Sequence, residues 1–405
     1  MQIIGMADIS DAPMKDVFWA RSVFSRCQKL KYANVSCGAV GKHDNYNGNA
    51  MGSYFYLCGE LTEIVGLDTW DFTGLYKLDI TSMFRDCKSL ETIDTTGWNL
   101  SGITSMNNVF SNCTSLKTII GHENWDLSST SNMALTFYQC TSLETLDVTN
   151  WNCGNGANGV FQGSGLKKVI GIENLVNSRW TNMGSLFRGC PLEELNISNW
   201  DTSNVIDFQY AFNGNKFTEV VGLENLNMDS CKYADFMFAN CTNLTDLSKG
   251  VFKSSFETSL DTGQGFTNTF SGCTSLKKIG RVINKGSWKA CFQGCTSLES
   301  IAEINTSTTY ATTYLIFQNC NSLTSVNFTG TGYRELTGGK NNLTWHHPDF
   351  DHDSMLSLFN CLNPNAPTNH GTSSSPLGLK ASALARMTDE EISIATNKGW
   401  YLTGV

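Results

Sequence analysis

The chain carries phenylalanine and cysteine three residues apart at ten places, from Phe24/Cys27 and Phe55/Cys58 to Phe292/Cys295 and Phe317/Cys320. Two further copies, Phe161/Ser164 and Phe212/Asn215, have lost the cysteine. A period of this size marks stacked supersecondary units, each burying its apolar side only against its neighbours. The feature therefore predicts an α/β solenoid of about twelve coils of 22–32 residues, with a short strand and a short helix in each. Such an array offers long surfaces in place of one deep pocket.

One coil shows the pattern. Met133, Phe137 and Cys140 fall at i, i+4 and i+7, the spacing of one helix face. Leu143, Leu146 and Val148 follow with the alternation of a half-buried strand. The same columns recur as Phe84, Cys87, Leu90 and Ile93, and as Phe110, Cys113, Leu116 and Ile119. A tryptophan or leucine closes each of seven coils, as at Trp98, Trp125, Trp151 and Leu175, and this exchange marks an interior column. The preceding asparagines, Asn124, Asn150, Asn174, Asn199 and Asn225, are expected to be buried amides bonded to backbone.

Ten of the fifteen cysteines share one column, so the expectation is buried free thiols, without disulfides or metal. Outward strand positions read Glu91, Lys117, Glu144, Lys167/Lys168 and Glu193/Glu194, a self-neutralising ladder that fixes register. The net charge of −9 disfavours a nucleic-acid partner. No apolar run is long enough to cross a membrane, and no secretory signal is visible in Met1 to Phe24.

Few residues invite chemistry. His346, His347, Asp349, Asp351 and His352 crowd into a short stretch that contains metal-ligand types, although Asp353 reads as the N-cap of a helix holding Met355, Leu356 and Phe359. Asp94 and Asp147 lie two coils apart, at roughly the separation of a glycosidase carboxylate pair. The ladder explains them more simply. No cofactor motif appears. The insertion Lys249 to Gly265 is the expected protruding loop, with Lys249, Ser254, Phe256, Asp261 and Gly265 as ligand-contact candidates.

Phe-x2-Cys-Thr-Ser-Leu-x2-Leu-Asp-x-Thr-Asn-Trp resembles the BspA-like branch of leucine-rich repeat proteins. That resemblance covers about three quarters of the chain, and it implies a curved solenoid with adhesion or binding roles in place of catalysis. The expected organisation is a lead-in at 1–23, the repeat array at 24–330 and a capping region at 331–405. In the last of these, Thr388-Asp-Glu-Glu391 forms a capping box and Gly399 can stop the helix. The segment Met387 to Leu402 resembles the closing segment of leucine-rich-repeat tail-fibre proteins from phages of gut bacteria. Together these imply a phage tail-fibre or receptor-binding subunit that recognises a cell-surface glycan or protein and contacts other virion subunits. A bacterial surface adhesin, a carbohydrate-active tail protein and a pure scaffold are the alternatives.

Overall fold

A computed structural model describes residues 5–10, 21–36, 51–70, 72, 77–155, 158–255, 264–305, 315–330, 348–362 and 375–404. The chain forms two compact units, Met1–Asp201 and Thr202–Val405, so the division falls inside the expected array.

In the first unit the strands are β1 (Met6–Asp8), β2 (Tyr32–Asn34), β3 (Glu63–Val65), β4 (Leu78–Asp79), β5 (Thr92–Asp94), β6 (Ile103–Ser105), β7 (Thr118–Ile120), β8 (Thr145–Asp147) and β9 (Lys168–Ile170). They pair in parallel as β1-β2-β3, β4-β6, β5-β7 and β8-β9. In β5, β7, β8 and β9 the central residues are buried and in register, Ile93 opposite Ile119 and Leu146 opposite Val169.

In the second unit β10 (Asp246–Ser254), β11 (Lys278–Asn284), β12 (Ser300–Asn305) and β13 (Ser325–Thr329) form one parallel sheet. After it come α1 (His352–Cys361), β14 (Ser375–Leu379), α2 (Ala381–Leu384), α3 (Asp389–Thr396) and β15 (Trp400–Gly404), with β14 paired to β15.

The helix expected in each coil does not form. The Met-x3-Phe-x2-Cys segment is a run of tight turns, and the only α-helices among the described residues come after residue 350. Two residues per coil, two before and two after the phenylalanine, take left-handed backbone. Examples are Ser82 and Asp86 around Phe84, Asn108 and Asn112 around Phe110, and Gly159 and Gly163 around Phe161. These conformations turn alternate peptide planes. The N–H groups of Arg85 and Cys87 bond back to Ser82 and Phe84. Those of Ser82, Phe84 and Asp86 instead reach the next coil, at Asn107, Val109 and Ser111 (2.8, 2.9 and 2.9 Å). An α-helix would keep every N–H within itself; this winding uses half of them to join coils. The i, i+4, i+7 spacing is common to both, because the same side chains must point inward in either case.

The phenylalanines stack ring on ring. In the first unit the centroids from Phe84 through Phe110 and Phe137 to Phe161 are 5.6, 5.5 and 5.6 Å apart. In the second unit Phe238, Phe270, Phe292 and Phe317 follow at 6.0, 5.5 and 5.8 Å. Each buried phenylalanine contributes about 1.5–3 kcal/mol, and each ring pair about 0.5–1.5 kcal/mol more. The cysteine beside each ring donates its S–H to the phenylalanine carbonyl of the preceding coil. Cys113 reaches Phe84 at 3.0 Å, Cys140 reaches Phe110 at 3.1 Å, and Cys273 reaches Phe238 at 3.1 Å. Every described cysteine is unbridged, and all but Cys27 are buried.

The tryptophan column is interior, and its indole N–H groups bond coil to coil: Trp98 to Leu67 O at 2.9 Å and Trp151 to His122 O at 2.7 Å. The asparagine column is not. Asn124, Asn150, Asn174, Asn199 and Asn225 are all exposed. Each precedes an inward side chain at a corner of the coil and so points outward.

Helix α1 lies on β13. Its N-cap is Asp351, not Asp353, because the Asp351 carboxylate accepts the Ser354 N–H at 2.8 Å. The Ser354 and Ser357 hydroxyls accept the N–H groups of Val326 (2.8 Å) and Phe328 (3.1 Å), which an edge strand would leave open. Phe350 packs edge-on against Phe317 and Phe328, ending the ring stack of this unit. In α3 the capping box of Thr388 and Glu391 is formed.

Candidate binding face

The outward side of the strands in the first unit presents three columns. The first is the charge ladder, now seen as ion pairs: Lys117 with Glu91 at 2.8 Å and Lys167 with Glu144 at 2.9 Å. In the second column Lys168 lies 3.5 Å from Glu194, and Thr92, Thr118 and Thr145 are exposed. All these ion-pair side chains are largely exposed, so each pair contributes about 0.2–1 kcal/mol.

The third column alternates. Coil by coil it reads Asn34, Val65, Asp94, Ile120, Asp147, Ile170. Within it Asn34 is opposite Val65, Asp94 opposite Ile120, and Asp147 opposite Ile170. Two kinds of turn cause the alternation. In the acidic coils the carboxylate folds back on the chain, Asp94 accepting the N–H and hydroxyl of Thr96 and Asp147 the N–H of Thr149 (2.9 Å). The Thr149 hydroxyl and then its N–H hold the Asp147 carboxyl below the usual range, with His122 adding to the effect. In the other coils a left-handed glycine follows: Gly66, Gly121 or Gly171. A Cβ on Gly121 would sit 2.6 Å from Thr96 Cα, so neither the backbone angle nor the space admits another residue.

The residue before each glycine points out of the core. Val65, Ile120 and Ile170 are 38%, 44% and 42% exposed, in a fold whose other apolar columns are buried. The two readings of Ile119-Ile120 thus separate: Ile119 is core and Ile120 is surface. In the sequence this row is hidden, because an apolar pair before glycine looks like one buried strand end. The signal was the recurrence of aspartate or asparagine at the same position in neighbouring coils.

His122 takes a place of its own. Its Nδ1 bonds Ile119 O and its Nε2 accepts the Asp147 N–H at 3.1 Å. It thereby bridges β7 and β8, where no strand pairing is present among the described residues.

The remaining candidates do not converge. Asp349 bonds Arg386 (2.7 Å) and Ser382 (2.8 Å), Asp351 caps α1, and His352 bonds Asp353 and Glu391. His346 and His347 lie outside the described residues, and no metal-holding group occurs among those described. The expected loop from Lys249 begins as strand: β10 runs to Ser254, which is buried with its hydroxyl on Lys232 O. Gly265 is also buried, Lys249 is exposed, and Phe256 and Asp261 lie outside the described residues. The extra length went into a longer strand because Phe252 has a buried partner in Val282. Among the described residues no helix is long and apolar enough to cross a membrane.

The family model described as "Mycoplasma protein of unknown function, DUF285" matches residues 78–165 and 156–281, half of the chain. That described as "BspA type Leucine rich repeat region (6 copies)" matches residues 266–336. No curated protein matches. Among solved structures, a leucine-rich repeat protein from Bacteroides ovatus is 14% identical, over 99% of this chain and 92% of that one, with a TM-score of 0.39. The plant peptide hormone receptor RGFR1 in complex with RGF2 is 12% identical, over 99% of this chain and 72% of that one, with a TM-score of 0.22.

Proposed function

We propose, for a chain that belongs to the DUF285 family and to the BspA-like leucine-rich repeats that continue it, that it is a non-catalytic binding protein which attaches to a protein or glycan on a cell surface. The observation that carries this reading is the outward row of Val65, Ile120 and Ile170. Exposed apolar residues aligned in one column mark an interaction site more often than scattered ones do. The column cysteines are buried thiols with raised pKa values, Cys241 at about 12 and Cys190 at about 11, which supports a packing role over a nucleophilic one.

The finer reading is a phage tail-fibre or receptor-binding subunit, for which the closing segment Met387 to Leu402 is the support. A bacterial surface adhesin is the second reading, supported by the family itself. In both, residues 331–405 act as the closing cap, a role supported by the two serine hydroxyls of α1 on β13.

Labelled full-length chain incubated with intact gut bacteria tests the proposal. Saturable retention on at least one strain is expected. Prior protease treatment of the cells should abolish it for a protein receptor, and periodate treatment for a glycan. Retention on no strain across a broad panel would overturn the proposal.

A further inference from the structure

The third column of the strand face joins two kinds of surface that rarely occur together. Val65, Ile120 and Ile170 are β-branched and stiff, so they present fixed apolar knobs. Between them stand Asp94 and Asp147, and neither has an ion-pair partner among the described residues. The nearby lysines Lys117, Lys167 and Lys168 are paired with Glu91, Glu144 and Glu194 instead. The ladder therefore neutralises itself and leaves the carboxylates of the third column without a lysine, although His122 acts on Asp147. Their side chains are also held in place, since each is folded onto the backbone two residues on.

We propose that Val65, Asp94, Ile120, Asp147 and Ile170 form a binding track for an extended, cationic peptide segment in polyproline II conformation. This rests on the surface-binding reading above and names the ligand class of that same face. Charge complementarity selects a lysine- or arginine-bearing segment over an acidic or neutral one. Spacing selects the conformation. Successive apolar knobs lie two coils apart, one step across a paired strand (Asp94 to Ile120, Asp147 to Ile170) and one across a step unpaired among the described residues, roughly 10 Å in all. Three residues of polyproline II advance about 9.3 Å, so every third side chain of such a segment meets one knob. The side chains between can reach the intervening carboxylates. Both the knobs and the carboxylates are ordered before binding, which reduces the entropy lost on association.

The test uses the full chain and fluorescent peptides of about nine residues, roughly 28 Å long when extended as polyproline II. A Pro-Pro-Lys repeat should bind saturably and weaken with added salt. Binding should fall at least about tenfold in Asp94→Asn/Asp147→Asn, and separately in Ile120→Ser/Ile170→Ser. The asparagine variants should stay folded, because Asn34 and Asn196 already make the same turn bonds to Ser36 and Ser198. Circular dichroism checks this. The proposal is overturned if Pro-Pro-Lys does not saturate, if Pro-Pro-Glu binds as well, or if a flexible Gly-Gly-Lys repeat binds equally. It also falls if a neutral oligosaccharide displaces the peptide, or if both double variants bind unchanged. Retention of these variants on intact cells at wild-type level would keep the surface-binding reading and remove this track from it.

Discussion

A thiol three residues after each phenylalanine does two things at once. It fills a small buried space, and it donates a hydrogen bond to a carbonyl one coil back. The Phe110 carbonyl accepts both the Cys113 N–H (3.0 Å) and the Cys140 S–H (3.1 Å). Replacing Cys140 with serine keeps a donor beside the Phe110 carbonyl, and should cost less than about 1 kcal/mol in thermal or urea unfolding. Alanine removes the donor and leaves a gap, and should cost about 1–2 kcal/mol. Burial pushes the Cys58, Cys153 and Cys320 thiols up to about 12, so in native protein at pH 8 these buried thiols should react with a thiol reagent only at the rate at which the coils open. Fast labelling of Cys58, Cys153 or Cys320 in the folded state, read by mapping the modified peptides, would contradict the seam. The column itself was legible because burial repeats with the coil: phenylalanine, cysteine, leucine and tryptophan each mark one inward position. The asparagine before each closing residue was misread because a conserved-looking column was equated with an interior one. Consecutive residues at a corner point opposite ways, so Trp151 goes in and Asn150 goes out.

At the scale of the element, the coil is a winding of turns whose left-handed residues turn backbone donors toward the next coil. Its helical spacing misled because a helix and this winding share the inward positions. Asn108, Asn112, Gly159 and Gly163 held the clue, since asparagine and glycine are the residues that accept left-handed backbone. Two element-level predictions follow from the contacts. Gly121→Ala forces a Cβ onto Thr96 backbone at a left-handed site and should cost about 2 kcal/mol or more in equilibrium unfolding. Ser357→Ala leaves the Phe328 N–H on β13 without its acceptor and should cost about 1–2 kcal/mol. The α1–α3 junction should also respond to pH. Asp353 and then Glu391 raise the His352 pKa, so its stabilising charge is present below the unfolded value near 6.5 and is lost as pH rises through the folded one. Hydrogen exchange in 352–361 and 389–396, corrected for intrinsic rates, should be slower at pH 6 than at pH 8. His352→Gln should remove that difference.

For the molecule as a whole, each unit is stabilised by neighbour contacts between coils, so its core is a set of columns and its surface is a set of columns too. The array and its family were legible because the inward columns repeat in most coils, with Ser164 and Asn215 as the exceptions in the cysteine column. The binding face was not, because its signal lies in alternation: an acid in one coil, an exposed isoleucine or valine in the next, seen only when Ile119 and Ile120 are known to face opposite ways. The long strand β10 was also hidden, since an insertion in a repeat looks the same whether it leaves as a loop or extends the sheet. The most direct test of the account compares wild type with the combined variant Asp94→Asn/Asp147→Asn/Ile120→Ser/Ile170→Ser for saturable retention on intact bacterial cells. The account predicts saturable retention by wild type, at least about a tenfold loss in the variant, and unchanged circular dichroism. Equal retention of the two, or none by either, would contradict it.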